Sequence, residues 1–319
     1  MAKILITGAT GFVGKSLVSV LIDAGHSVRC AVTKEVEWFK TDQVIINRLE
    51  EQNDWSEALD GIEVVIHLAA RVHIMKEKSP DALDKYCEVN SIATKKLAEQ
   101  AAQHKVKRFI FLSSIKVNGE STVEGSPFTE ESIPQPEDAY GKSKLLAEQY
   151  LHAVSQNKGM EIVILRPPLI YGAGVKANFL KMIKLVDKGF PLPFGKVQNK
   201  RSFIYIGNLV SAICAVIEAP EAANQLYLVA DDDALSLPSL IRGLHEEIDS
   251  KRKLIALPVC FLTFIFRLFG FTSLNTRLLG SLVVNNNKIK KQLGWTFPYD
   301  SMSGLKKTAK WYKKNKSFI

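Results

Sequence analysis

The chain has 319 residues, enough to bury a sizeable core as one large unit or as a nucleotide-sized domain plus a smaller one. Its 42 lysines and arginines outnumber 33 acidic residues for a formal charge of +9, but the basic side chains are spread along the chain and thicken only from Lys288 to Lys316. That distribution reads as a solvated helical face and argues against a nucleic-acid surface; a weak attraction for a membrane surface or for phosphate groups is the sharper alternative. Cys30, Cys87, Cys214 and Cys260 are scattered without metal-ligand spacing, and the first residues show no basic segment leading into an apolar one. A reduced cytoplasmic protein without a bound metal is the expectation.

In chain order, Lys3–Thr7 is a short apolar run stopped by glycine, a buried strand, and Gly8-Ala-Thr-Gly11-Phe-Val-Gly14 follows it. From Lys15 to Ala24, Leu17, Val18, Leu21 and Ile22 recur at helical spacing and the run ends at Gly25. Strand, glycine turn and helix in this order suit a dinucleotide pyrophosphate. Gly8 permits the tight turn, Gly11 the close approach of backbone N–H groups to phosphate, and Gly14 the packing of helix on strand. Further strands are expected at Ser27–Val32, Gln43–Ile46, Val64–Leu68, Phe109–Ser113 and Glu161–Arg166, with helical patterns between them. Repeated β-α units imply a parallel, doubly wound α/β sheet, whose ligands lie at the carboxyl ends of its strands. Those ends carry the glycine loop, Leu68-Ala69-Ala70, Ser113-Ser114 and Arg166-Pro167-Pro168.

Tyr140 and Lys144, 26 and 30 residues after Ser114, lie four apart and so on one face of a helix. A lysine beside a tyrosine favours the phenolate and is expected to lower a pKa that is about 10 in the free side chain, giving an acid/base usable near neutral pH. At the end of the second strand, Ala31-Val32-Thr33-Lys34 follows Arg29, where NAD-preferring sites place a carboxylate for the adenosine ribose. With no carboxylate there, and with Thr33 and either Lys34 or Arg29 available to a 2′-phosphate, NADP(H) is favoured over NAD(H). Leu254–Phe266 is the longest apolar stretch; Pro258 interrupts it and Arg267 closes it before the roughly 20 residues that span a bilayer. Two readings stand for it: a helix buried under a second domain or in a subunit contact, and an interfacial patch built on Phe261, Phe264, Phe266, Leu268, Phe269 and Phe271 beside Arg267 and Arg277.

The glycine loop, His67-Leu-Ala-Ala70, Val89-Asn90, Ser113-Ser114-Ile-Lys-Val-Asn-Gly119, Tyr140-x-x-x-Lys144, Arg166-Pro-Pro-Leu-Ile-Tyr-Gly172 and Arg201-Ser-Phe-Ile occur in the order of the extended short-chain dehydrogenase/reductases. The chain resembles their nucleotide-sugar epimerase/dehydratase/reductase branch from about residue 2 to Tyr312. The resemblance implies a Rossmann-type domain over residues 1–171, with 202–217 returning to it. A smaller α+β substrate domain would lie mainly in 172–319, its cap formed by 172–201 and 225–300. It implies a nicotinamide cofactor held by Gly8, Thr10, Gly11, Phe12, Val13, Gly14, Leu49, Leu68, Ala69, Ala70, Asn90, Tyr140, Lys144 and Pro167. Ser114 would bind the reacting sugar oxygen, Tyr140 would be the general acid or base, Lys144 would hold the nicotinamide ribose, and Ser113 would be a backbone neighbour only.

Substrate contacts are expected from His73, Ser114, Lys176, Asn178, Arg201 and Arg277, the last two at phosphates of a UDP-sugar. Dehydratases of the branch carry Asp-Glu where this chain has Ile115-Lys116, so elimination of water is disfavoured. Arg48 stands where the family commonly has aspartate near the adenine. The strings Ser113–Gly119 and Val175–Phe179 look most like bacterial polysaccharide enzymes that reduce a UDP-4-keto-6-deoxy-N-acetylhexosamine. Reduction of that C4 ketone is the leading expectation. A UDP-hexose or UDP-N-acetylhexosamine 4-epimerase with bound NAD is the alternative, and a non-catalytic NADP-binding regulator is remote because tyrosine and lysine are both kept. Homodimerisation is implied by the family.

Overall fold

A computed structural model describes residues 1–72, 81–248, 254–270 and 272–318. Its strands are β1 (Lys3–Thr7), β2 (Ser27–Val32), β3 (Asp42–Ile45), β4 (Val64–His67), β5 (Arg108–Leu112), β6 (Glu161–Arg166), β7 (Leu169–Tyr171), β8 (Phe203–Tyr205) and β9 (Gln225–Leu228). Seven of them pair in parallel in the order β3-β2-β1-β4-β5-β6-β9, and β7 pairs with β8 apart from that sheet. The helices of the first half are α1 (Phe12–Asp23), α2 (Ser56–Leu59), α3 (Ala82–Cys87), α4 (Ala93–Gln103) and α5 (Ala139–Lys158). Those of the second are α6 (Ala177–Asp187), α7 (Ile206–Glu218), α8 (Leu237–Ile248), α9 (Val259–Leu268), α10 (Thr272–Leu279), α11 (Asn287–Leu293) and α12 (Ser301–Asn315).

The expected doubly wound sheet is present, and its strand limits lie within one residue of the predicted ones. Every residue of β4 is buried, as both-faces-covered parallel strands require. One face packs Leu17, Leu21, Leu209 and Ile213 of α1 and α7; the other packs Leu97, Ala98, Leu151 and Val154 of α4 and α5. The chain runs outward from β1 through β2 to β3, then returns to β4 on the other side of β1. That reversal opens a crevice at the carboxyl ends of β1 and β4, where ligands of such sheets lie.

The segment 202–217, expected to return to the nucleotide-binding domain, contributes a helix to the sheet face and no strand to the sheet. α7 lies against α1, but β8 pairs with β7, and the strand that extends the sheet beside β6 is β9, from a stretch assigned to the cap. β9 alternates little and is four residues long, so its sequence carries no period by which to place it.

Gly8 and Gly14 show why the loop is glycine-rich. Gly8 has φ +72°, and a Cβ there would lie 2.6 Å from the Ala69 nitrogen; a Cβ on Gly14 would lie 2.4 Å from the Gly8 carbonyl oxygen. α1 can therefore start directly under β1 only without those side chains. Gly14→Ala is expected to destabilise the fold by roughly 1–3 kcal/mol through this overlap. A lower denaturant midpoint checks it, and an unchanged midpoint would mean that the loop relaxes freely.

Candidate active site

The crevice is built by four strand ends. Gly11 is the N-cap of α1 and offers no side chain, so the first N–H groups of the helix face outward at the mouth of the loop. Thr10 and Gly11 are exposed while Val13 is buried in the core, which divides the loop between ligand side and packing side. Across from it the Thr7 hydroxyl accepts from the Ala69 N–H at 3.4 Å, and Leu68-Ala69-Ala70 line the opening half-buried. The exposed Thr10-Gly11 turn, the small residues after β4 and the uncapped helix start fit a dinucleotide pyrophosphate.

Ser114 follows β5 in extended backbone, and a tight turn, Ile115–Val117, follows it. α5 begins beside this turn because Asp138 caps it, accepting from the Gly141 N–H at 2.7 Å. Gly141 is required there: a Cβ would lie 2.6 Å from the Lys116 carbonyl oxygen. The first turn of α5 thus presses against the Ser114 turn, which sets the Ser114 hydroxyl near enough to the Tyr140 phenol to favour its ionised form. The Ile115 N–H donates to the Pro167 carbonyl at 2.9 Å, which adds the end of β6 to the same point.

Lys144 lies one turn further, 1% exposed. Its ammonium donates to the Leu112 carbonyl at 2.7 Å and stands 4.2 Å from the centre of the Phe111 ring. Burial lowers its pKa to about 7 although Glu148 pulls the other way. The phenol moves opposite to expectation. Burial, Asp138 and Tyr86 raise the Tyr140 pKa, and the nearby Ser114 hydroxyl offsets them only partly. The lysine does not reverse this because its hydrogen bond goes to the strand and burial favours its neutral form.

Beneath these groups lies a polar layer that the motifs did not reveal. Glu148 accepts from Arg166 Nε at 2.9 Å and Nη2 at 2.5 Å, and the Ser113 hydroxyl donates to it at 2.5 Å. Arg166 Nη1 donates to Asn118 at 3.0 Å. Ser113 is therefore more than a backbone neighbour: it helps satisfy the carboxylate one turn beyond Lys144. The spacing of Lys144 and Glu148 along one helix was the available signal. His67 is also fully buried, bridging the Thr7 and Thr94 hydroxyls at 2.6 and 2.9 Å, and burial with the nearby Lys144 lowers its pKa to about 3.

Other predicted residues take different places. Arg29 faces away from the crevice: it pairs with Asp42 at 2.5 Å and donates to the carbonyls of Glu57 and Ala58 in α2 and of Asp60 just past it, because its position in β2 directs it to the amino-terminal side of the sheet. It is thus not the 2′-phosphate partner; Thr33 and Lys34, exposed past the carboxyl end of β2, are the residues left there. Leu49 is buried with Trp55 in the core beside β2 and β3. Asn90 sits in a widened helical turn, Glu88–Ile92, and spends its amide on the backbone N–H and carbonyl of Arg71 and on the Ser143 hydroxyl, at 2.8, 3.1 and 3.0 Å. It braces the loop after β4 against α5. His73 lies outside the described residues.

Lys176 and Asn178 are exposed at the start of α6, anchored by buried Phe179 stacked on Tyr171. The turn before them crosses the glycine loop, since a Cβ at Gly174 would lie 3.7 Å from the Phe12 ring. Arg201 donates to the carbonyls of Thr276 and Gly280 at 3.3 and 3.1 Å, gripping the end of α10 that bears Arg277. Its pKa is lowered by burial and by Arg277, against the pull of Glu120. Glu120 in turn accepts from Lys116 at 2.8 Å, and Lys116 also pairs with Asp138. The two arginines and the Tyr140 helix are thereby joined by one line of alternating charges.

Residues 4–230 match the family model of the NAD dependent epimerase/dehydratase family. The chain belongs to this family. It is 43% identical to a UDP-glucose 4-epimerase of Vibrio cholerae over 311 residues, 96% of this chain and 94% of that one. Among solved structures it resembles the UDP-glucuronic acid 4-epimerase of Bacillus cereus in complex with NAD, with a TM-score of 0.78 and 23% identity over 98% of this chain and 99% of that one. The UDP-glucose 4-epimerase of Thermotoga maritima with UDP-glucose gives the same TM-score of 0.78 at 23% identity, over 98% of this chain and 99% of that one. At such identities the structures establish the fold, that of an epimerase/dehydratase-family enzyme.

The folded-state pKa of Lys144 is below its ordinary 10.5, so the folded protein resists a proton that the unfolded chain takes up. Its penalty is full at about pH 7 and fades as the pH rises toward the unfolded value. From pH 7 to about 8.5 the thermal midpoint of the wild type should therefore rise relative to that of Lys144→Met. Parallel curves for the two proteins would place the lysine in an unperturbed environment.

Proposed function

We propose that the protein is a nucleotide-sugar 4-epimerase acting on a UDP-hexose or UDP-N-acetylhexosamine, with its nicotinamide cofactor retained between turnovers. The observation that carries this reading is the close packing of the Ser114 turn against the head of α5, which sets Ser114 beside Tyr140, one helical turn from buried Lys144 and next to the dinucleotide crevice. The 43% identity to a UDP-glucose 4-epimerase over nearly the whole chain favours epimerisation over the 4-keto reduction that the sequence suggested first. The sheet's carboxyl edge would carry the cofactor, and the segments bearing Lys176, Asn178, Arg201 and Arg277 the sugar nucleotide.

A nicotinamide cofactor held along the glycine loop and Leu68-Ala69-Ala70 would supply the hydride acceptor and donor for the sugar C4. Ser114 holds the C4 oxygen, and Tyr140 takes its proton and gives it back. Because burial raises the phenol's pKa, the proton that Tyr140 carries is well retained near neutral pH, and the Ser114 hydroxyl offsets part of the cost of losing it. Arg201 and Arg277 supply positive charge for the diphosphate. At the positions of the dehydratase acids, Ile115 is buried and Lys116 is a cation paired with Glu120 and Asp138, which supports a reaction without loss of water.

A second reading, an NADPH-consuming 4-keto reductase, is favoured by one observation. Past β2, exposed Thr33 and Lys34 are available to a 2′-phosphate, and the strand itself ends in Val32 without a carboxylate. Both readings are separated by incubating purified protein with UDP-glucose or UDP-N-acetylglucosamine without added cofactor. The epimerase reading expects the C4 epimer to accumulate to equilibrium. Absence of any epimer, together with stoichiometric NADPH oxidation on a UDP-4-keto-6-deoxysugar, would replace it with the reductase.

In either case Tyr140→Phe should cut turnover by roughly 100-fold or more, since it removes the proton that moves at the C4 oxygen. A variant turning over at nearly the wild-type rate would remove Tyr140 from the mechanism.

A further inference from the structure

The apolar stretch that opened two readings in the sequence is a helix with an outward-facing aromatic side. α9 is fixed to the body by Leu262, which is buried in the core, and by Phe266 packed against it. On the opposite side Phe261, Phe264 and Leu268 recur at i, i+3 and i+7, and Phe264 and Leu268 are 60% and 67% exposed. Phe269 continues the face at the end of the helix. The face extends beyond α9, because the chain before it pairs with the loop after α6: the Ile255 N–H donates to the Leu192 carbonyl at 2.8 Å and the Gly195 N–H to the Ile255 carbonyl at 2.9 Å. Exposed Phe190 and Ile255 flank this pairing.

The segments that build the face carry charge of one sign. Residues 188–200 and 254–285 contain no aspartate or glutamate, whereas Lys188, Lys196, Lys200 and Arg267 fall within them. All four are exposed. A subunit contact between identical copies would bring these cations against one another with no acidic residue of the same segments to meet them. A bilayer with anionic headgroups satisfies both halves of the pattern, taking the aromatic side chains at the acyl boundary and the cations at the phosphates. Among the described residues no helix is long and apolar enough to cross a membrane, so the contact is a surface one.

We propose that the outer face of α9, with the 188–196 loop, docks on an anionic lipid surface. Arg277 lies on the next helix, so the docking face and the arginine pair at the sugar-nucleotide side are consecutive elements of the chain. The surface is separate from the catalytic groups and does not depend on which sugar is turned over.

The test is co-sedimentation of the full chain with phosphatidylcholine vesicles that contain or lack phosphatidylglycerol. Binding is expected to the anionic vesicles and to be roughly tenfold weaker on neutral ones. The double variant Phe264→Asp, Leu268→Asp should lose at least about tenfold in partitioning. Its sedimentation coefficient without lipid and its turnover of soluble UDP-sugar should match the wild type. An environment-sensitive fluorophore on exposed Cys260 should shift to the blue on anionic vesicles only. Wild-type protein remaining in the supernatant, equal binding by the double variant, or a variant that changes from dimer to monomer would each overturn the proposal, the last by making the face a subunit contact. The vesicle, sedimentation and fluorescence readouts require no catalysis, so an inactive protein would leave the docking result intact.

Discussion

The buried ammonium of Lys144 is the constraint around which the site is arranged. A lysine 1% exposed is tolerated only if its donors and its charge are answered within the fold. The Leu112 carbonyl takes a hydrogen bond, the Phe111 ring face lies below, and Glu148 stands one turn along the same helix. Glu148 is a buried charge in its own right, so it needs Arg166 and the Ser113 hydroxyl. Arg166 ends β6 and Ser113 follows β5, so answering one ammonium ties α5 to the carboxyl ends of two strands. His67, at the end of a third, stays neutral because burial and the same ammonium both disfavour its proton.

That tie explains how residues far apart in sequence share a site. In a parallel sheet every strand delivers its carboxyl end to the same edge. The reversal at β1 puts the ends of β1 and β4 side by side, which is why the glycine at residue 8 and the alanine at 69 touch. α5 then crosses the ends of β5 and β6, held close by Asp138 and by the missing side chain of Gly141. Tyr140 is placed by backbone approach, and Lys144 by the polar layer under it.

Much of this was legible because it is written in local patterns. The strands showed as short apolar runs bounded by glycine and polar residues, and Tyr140 and Lys144 showed as a four-residue spacing on a helix. What escaped depends on the direction and surroundings of a side chain. Arg29 sits in the correct strand but points to the other end of the sheet, a fact set by its pairing with Asp42 rather than by its neighbours in sequence. The pairing of Tyr140 with Lys144 suggested a lowered phenol pKa, yet the result depends on burial and on Asp138 and Tyr86, which no spacing rule weighs. Asn90 belonged to the correct motif, but its amide is consumed in bracing the loop after β4. β9 was misplaced because four residues cannot display a period.

The line from Asp138 through Lys116 and Glu120 to Arg201 and Arg277 bears on what chemistry the fold can run. Asp138 caps the tyrosine's helix, and its charge raises the cost of ionising the phenol. Lys116 pairs with that carboxylate from the position where a dehydratase carries an acid. The exchange of an acid for a cation therefore does two things at once. It removes a proton donor from the vicinity of a leaving hydroxyl, and it partly cancels the negative charge that opposes a phenolate at Tyr140. Glu120 extends the alternation toward the arginines and favours the charged form of Arg201 against burial. In the proposed epimerase, Lys116 thus favours proton transfer through the tyrosine over elimination, while its partner Glu120 favours the charged form of Arg201, one of the arginines proposed to meet the diphosphate.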